Sequence, residues 1–283
     1  MAWTLTHDVA GFLDAAGPFL SSRAAEHTVL LTVSETVRLS GPAAFGDDLP
    51  LFGWYAADGG PVTAACLHTP PYPLALTAMP DEVAAALAPA LAGRGRELAG
   101  VDGRPGPAHA FAAGWLRQTG QPAHLGRRTR LYRLGDLVPP GPAPPGQDRA
   151  AAPADTELLV AWLAAFQQEA DSTGGPVRRQ IVAERLSYGG FTLWETGDGP
   201  VSLAGRTRVV AGQARVGPVY TPPEHRGRGY GGAVTAAVSR QALAAGASEV
   251  LLYTDLANPT SNALYPRLGY QPVSDSVRLS FTA

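Results

Sequence analysis

The sequence predicts an α+β or α/β protein built as two similar domains in tandem, each a sheet flanked by helices. Three observations predict it. Apolar runs at 51–57 and 61–69 meet at Asp58-Gly59-Gly60, and runs at 191–196 and 200–210 meet at Gly197-Asp198-Gly199. Aspartate and glycine tolerate the positive φ of a tight turn, so both pairs read as β-hairpins. Residues 213–221 then form an apolar, β-branched run closed by Pro222-Pro223, followed by a glycine-rich turn and an alanine-rich stretch that stops at Gly246, the order strand, turn, helix. Third, helical segments, a hairpin, a further strand and a helix follow one another in the same order in both halves.

In chain order, 9–23 reads as a short helix and 28–39 as a strand or a helix. After the first hairpin, 70–78 suits a third strand, and 81–98 a helix with Pro80 at its first turn. A helix is expected over 108–118 and a strand over 125–134. Residues 138–153, opening on Val138-Pro139-Pro140-Gly141-Pro142-Ala143-Pro144-Pro145-Gly146, have no periodicity and read as an extended connector. The expected division is therefore a domain over 1–137, a linker over 138–153 and a second domain over 154–283. In the second, Asp155 is expected to cap a helix over 156–170, and another helix covers 177–188.

The turn Glu224-His225-Arg226-Gly227-Arg228-Gly229-Tyr230-Gly231-Gly232 has a chemical use. The first N–H groups of a helix lack intrahelical partners and the dipole end there is positive, so such a turn accepts a phosphate. Glycine removes the Cβ atoms that would hold an anion off the backbone, while Arg226 and Arg228 add charge and planar donors. A Walker loop is excluded, because it needs a lysine and this chain has none.

Arg226-x-x-Gly229-x-Gly231, followed by Asn258-x-x-Ser261-x-x-x-Tyr265-x-x-x-Gly269-Tyr270, resembles the acyl-coenzyme A signature of the GNAT superfamily of acyltransferases. The resemblance covers Asp155 to the C-terminus. It implies a mixed, mostly antiparallel sheet flanked by helices, and an N-acetyltransferase that carries an acetyl group from acetyl-coenzyme A to a primary amine. In that family one strand bends away from its neighbour and the pantetheine arm enters the gap, and Gly217-Pro218 is placed to make such a bend. By resemblance, Val219, Tyr220 and Thr221 offer backbone groups to pantetheine. Arg226, Gly227, Arg228, Gly229, Tyr230, Gly231 and Gly232 hold the pyrophosphate, and Asn258 and Ser261 lie near the cofactor arm. Asn258 before Pro259 also suits an ordinary helix cap.

Tyr265 takes, by the same resemblance, the role of hydrogen-bond or proton donor to the departing thiolate. A phenol of pKa about 10 is a weaker acid than a thiol of about 8.5, so full transfer is uphill by roughly 2 kcal/mol unless the site lowers the tyrosine pKa. An amine of pKa about 10.4 is about one part in a thousand neutral near pH 7.4, a handicap of roughly 4 kcal/mol, so a base or a water chain must take its proton. Glu195, Asp255, Glu169 and Asp171 are the candidates.

The first half carries Thr77-Ala78-Met79-Pro80-Asp81-Glu82-Val83 where a copy would bind phosphate, without a glycine nest and with two carboxylates. It is expected to be a catalytically silent copy, with an unrelated lid domain as the alternative. The net charge of −2 gives no reason to expect nucleic acid or an anionic membrane as partner, and Arg127, Arg128 and Arg130 read as a solvated strand face. No run is long enough to span a membrane and the first ten residues lack the order of a signal peptide, so a cytoplasmic protein is expected. Cys66 has no partner in the chain, and the six histidines show no metal-ligand spacing, so no metal is expected. Two other readings stay open: a non-catalytic sensor of acyl-coenzyme A, and acyl transfer from an aminoacyl-tRNA. The amine acceptor, taken to be a small molecule, and the oligomeric state are not legible.

Overall fold

A computed structural model describes residues 2–57, 59–170 and 175–282; Asp58 of the first hairpin turn and the candidate base Asp171 lie outside them. The chain forms two compact units, Met1–Arg130 with Ser274–Ala283, and Leu131–Val273. The proline tract over 138–153 thus falls inside the second unit.

The first ten elements are β1 (Ala2–Thr6), α1 (Val9–Ser22), α2 (Thr28–Ser40), β2 (Leu51–Ala56), β3 (Val62–His68), β4 (Leu74–Leu76), α3 (Asp81–Ala92), β5 (Gly100–Gly103), α4 (Pro105–Thr119) and β6 (Ala123–Leu134). The next ten repeat that order: β7 (Gln147–Ala150), α5 (Thr156–Glu169), α6 (Arg179–Leu186), β8 (Phe191–Thr196), β9 (Gly199–Arg206), β10 (Gln213–Tyr220), α7 (Tyr230–Ala244), β11 (Glu249–Asp255), α8 (Pro259–Arg267) and β12 (Tyr270–Phe281). Three short strands, β1, β5 and β7, and the long β12 were not legible as elements in the sequence. The ambiguous segment at 28–39 is helix α2, because its buried Leu30, Leu31, Ser34 and Val37 recur at helical spacing.

In the first unit β1, β2, β3 and β4 pair antiparallel in succession and β4 pairs parallel with β5. The strand beside β5 is β12, antiparallel from Val277↔Gly103 to Ser280↔Gly100. Gly100 permits this approach, since a Cβ there would meet the Leu279 carbonyl oxygen. Trp115, Phe111 and Phe281 stack in the core of this unit, with Leu87, Leu91 and Leu279 around them. Phe12, Ala16 and Leu20 give α1 its buried stripe, and Asp8 caps it by accepting from the Ala10 N–H at 2.9 Å.

In the second unit β7, β8, β9 and β10 pair antiparallel and β10 pairs parallel with β11. Beyond β11 stands β6, of which residues 131–134 belong to this unit. Two apolar cores flank the strands. One packs α7 on Ala204, Ala214, Val216, Val250 and Leu252, and the other packs α5 and α6 on Leu193 and Leu203. Helix α7 is nearly all small residues and is buried from Gly232 to Ser239, because alanine and glycine let it lie close against the strands.

Asp155 does not cap α5 with its side chain, as the sequence suggested. Its carboxylate accepts two bonds from Arg149, at 2.7 and 2.9 Å, and one from the Ala152 N–H at 2.7 Å. The arginine fork outcompetes the helix end because charge-assisted bidentate bonds are the stronger ones.

Candidate active site

The site begins where β10 parts from β11. Their parallel pairing runs from Gln213↔Glu249 to Val216↔Leu252 and stops, while β10 continues along β9 to Tyr220↔Leu203. The register of β10 on β9 shifts between Val216 and Val219, which is the irregularity expected from Gly217-Pro218. Gly217 has φ +147°, a conformation that side chains rarely adopt. The strands therefore fork, with Gly217, Pro218, Val219 and Tyr220 on one prong and Tyr253, Thr254 and Asp255 on the other. On the first prong the Ser202 hydroxyl donates to the Tyr220 carbonyl at 3.1 Å and lies 2.8 Å from the Thr221 hydroxyl. The Tyr220 carbonyl is thereby turned to β9, away from the gap.

At the open end of the fork the chain turns into α7. Gly227 and Gly229 have φ +75° and +84°, and Gly229 is the residue that precedes the helix. Nothing lies within 4 Å of where a Cβ would stand on Gly227, so the turn leaves open space over exposed N–H groups. The glycines differ in purpose. A Cβ on Gly232 would meet Leu264 at 3.2 Å and Pro140 at 3.3 Å, so Gly232 serves packing.

The two arginines also differ. Arg226 folds back: its Nε donates to the Thr221 carbonyl at 2.9 Å and its Nη2 to Glu169 at 2.6 Å, with its guanidinium 5.9 Å from the Tyr220 ring centre. Arg228 is exposed and makes no hydrogen bond or ion pair among the described residues. The charge available at the turn is thus that of Arg228, since Glu169 offsets Arg226. Glu169 also accepts from the Tyr220 hydroxyl at 3.2 Å, and Trp162 packs beside that ring, so α5 is tied to the end of β10. Burial, then the neighbouring Glu169, pushes the Tyr220 hydroxyl above its usual pKa.

Asn258 caps α8, its Oδ1 accepting from the Ser261 N–H at 3.0 Å. The Ser261 side chain bonds the Tyr265 hydroxyl one turn further on. Tyr265 is buried between Tyr132 and Tyr270, with ring centres 6.5 and 6.0 Å away. Burial raises its pKa, and the bond to Ser261 opposes the rise only in part.

The remaining carboxylates are engaged in structure. Glu195, on β8, accepts from Arg149 at 2.9 Å, and β9 separates it from β10 by two strand spacings, about 10 Å. Asp255, on a prong of the fork, accepts from the Ala257 N–H at 2.8 Å in the turn that leads to α8. Sequence reasoning did not single out Arg185, Tyr188 or Arg215, which gather at the closed end of the fork. Their signal was slight, amounting to Gly205, where a Cβ would lie 3.1 Å from Arg185 Nη1.

Residues 201–279 match a family model described as FR47-like protein. No curated protein matches the sequence. Among solved structures, similar ones include a GCN5-related N-acetyltransferase from Kribbella flavida, with TM-score 0.54 and 22% identity over 78% of this chain and 87% of that one. An acetyltransferase from the GNAT family from Colwellia psychrerythraea has TM-score 0.59 and 12% identity, covering 100% of both chains. A tandem GNAT protein from the clavulanic acid biosynthesis pathway has TM-score 0.54 and 16% identity over 99% and 98%. The fold is the GNAT fold of these structures, and residues 201–279 are in addition similar to the FR47-like family.

Proposed function

We propose that the protein is an N-acetyltransferase that takes its acyl group from acetyl-coenzyme A held in the second unit and gives it to an amine. The observation that carries this reading is the fork between β10 and β11, opening at Gly217 and ending at an α7 N-terminus built on left-handed glycines. The residues suit the donor: Gly227 leaves room for a phosphate, Arg228 supplies charge, and the prong at Val219 and Thr221 can offer backbone groups to an extended amide-bearing arm. When bound, the donor supplies a thioester whose cleavage releases coenzyme A as its thiol.

The side chains of this site act by position. Gly229 and Gly231 leave the helix N-terminus accessible, and Arg226 braces the turn against Thr221 and Glu169. Tyr265 directs its hydroxyl by the bond to Ser261. Because burial raises its pKa, Tyr265 acts as a hydrogen-bond donor to developing negative charge and keeps its proton. Asp255 borders the fork and Glu195 does not, which favours Asp255 as acceptor of the amine's proton.

Release of free thiol from acetyl-coenzyme A across an amine panel tests the reading, and Tyr265→Phe localises it. The ring and its packing survive, so turnover is expected to drop by about 10²–10³-fold with acetyl-coenzyme A affinity unchanged. Equal turnover, with chemistry shown to be rate-limiting, would remove Tyr265 from the mechanism.

A further inference from the structure

The closed end of the fork is unusually rich in cations. Ala214 and Val216 belong to the core beneath α7, and so do Val250 and Leu252. Side chains alternate along a strand, so Arg215 and Tyr253 face the opposite side, toward α5 and α6. From α6, Arg185 reaches across β9 to the same place, its Nη1 donating to the Gly217 carbonyl at 3.1 Å. The reach depends on Gly205, where a Cβ would lie 3.1 Å from that Nη1 and 2.9 Å from the Gly217 oxygen. Arg185 and Arg215 are close enough to act on each other and on Tyr188. Arg206 and Arg208 lie against the Tyr188 ring, with guanidinium carbons 5.6 and 4.2 Å from its centre.

Four guanidiniums thus surround one tyrosine. Arg208 pairs with Glu184 at 2.8 Å, whereas Arg185 and Arg206 have no carboxylate partner among the described residues. Arg206 is 8% exposed and its Nε is buried without a partner. Burying a cation without a counter-charge is costly, and burial lowers the pKa of Arg206. Arg215, whose pKa burial lowers to about 10, is also a cation at neutral pH. Such an arrangement suits an anion. An arm running along β10 from the phosphate turn needs about 13 Å to pass from Thr221 to Gly217, so its reactive end would come to these arginines.

We propose that Arg185 and Arg215, with Arg206 behind them, form the seat for an anionic group of the acceptor, so that the acceptor is an amine that also carries a carboxylate or a phosphate. The inference rests on the donor placement proposed above. It names the class of acceptor: the anion anchors on α6 and β10 while the amine faces the fork.

The test uses the full-length protein saturated with coenzyme A, so that the phosphate turn is filled. Inorganic phosphate and acetate are titrated by calorimetry. Matched amines are then compared for thiol release from acetyl-coenzyme A: histamine with histidine, tyramine with tyrosine, and ethanolamine with phosphoethanolamine. A saturable anion site is expected, weakened about tenfold or more by Arg185→Met while coenzyme A affinity holds. The anionic member of at least one pair is expected to be the better substrate by a similar factor, with the first two pairs marking a carboxylate and the third a phosphate. Should Arg185→Met not fold, the parent's titration and pair preferences decide the matter alone. Coenzyme A binding without saturable anion binding, or neutral-tailed amines preferred in every pair, overturns the inference and leaves the donor site standing. Failure to bind coenzyme A sinks the donor placement, and the anionic-acceptor reading with it.

Discussion

At the scale of single residues, the site is defined by which side chains face the fork and which are tied elsewhere. Motif spacing identified Tyr265 and the glycine turn, and the structure adds what spacing cannot carry. Arg226 spends its donors on Thr221 and Glu169, and Asn258 spends its oxygen on a helix cap. Two predictions belong here. Turnover is expected to fall with Asp255→Asn and to survive Glu195→Gln, because only Asp255 lies on a strand of the fork; steady-state rates with saturating acetyl-coenzyme A check it. Because burial holds the Tyr265 pKa above its usual value near 10, its hydroxyl stays protonated as pH rises through 9, and Tyr265→Phe is expected to lower the rate by a constant factor from pH 7 to 9. A ratio of rates that changed steadily across that range would show Tyr265 ionising in the mechanism.

At the scale of elements, local chemistry was the legible part. The two hairpins, the strand-turn-helix order and the bend at Gly217-Pro218 are written in turn residues and periodicity, and they stand in the structure. Edge strands β1 and β7 were not legible, because β7 is four residues without apolar alternation and β1 has only two alternating apolar residues, Trp3 and Leu5, too few to fix a period. Strand β7 shows what holds such an element: Arg149 reaches Asp155 and Glu195, pinning the edge strand to the start of α5 and to β8. The Asp155 carboxyl is held below its ordinary pKa, first by the bonds from Arg149. A depressed folded-state pKa means stability that is present above the unfolded value near 3.9 and lost as pH falls through the folded one. Asp155→Asn is therefore expected to cost on the order of 1 kcal/mol at pH 7, and the gap between variant and parent should close at an acidic pH below the folded-state pKa. Urea unfolding at the two pH values measures it, and a gap independent of pH would show that ionisation plays no part.

At the scale of the whole molecule, the order of ten elements occurs twice, and each unit takes a strand from beyond its own ten. Strand β12 pairs with β5 and brings Val277 and Leu279 into the first core, while residues 131–134 of β6 belong to the second unit. No local pattern announces this, because partners more than 100 positions apart, as β6 and β11 are, or more than 170, as β5 and β12 are, leave no mark on periodicity. Deleting residues 274–283 removes the buried Val277 and Leu279, worth about 1.5–3 kcal/mol each, takes Phe281 from the aromatic stack and bares an edge of β5. The first unit is expected to lose protection in hydrogen exchange across β5 and α4; full protection there after the deletion would contradict the exchanged pairing.

The central claim is that the α7 N-terminus receives the donor's phosphates, and Gly231→Glu tests it most directly. Gly231 has no positive φ, and a Cβ there would lie 3.5 Å from the Thr221 hydroxyl, an ordinary contact. An acid in the first turn of a helix favours the helix dipole, so the fold should be as stable as before, but its charge would stand where the pyrophosphate must lie. Calorimetric titration with acetyl-coenzyme A is expected to show affinity reduced by on the order of 100-fold or more in a variant whose unfolding temperature is unchanged or raised. Binding as tight as that of the parent protein would contradict the account.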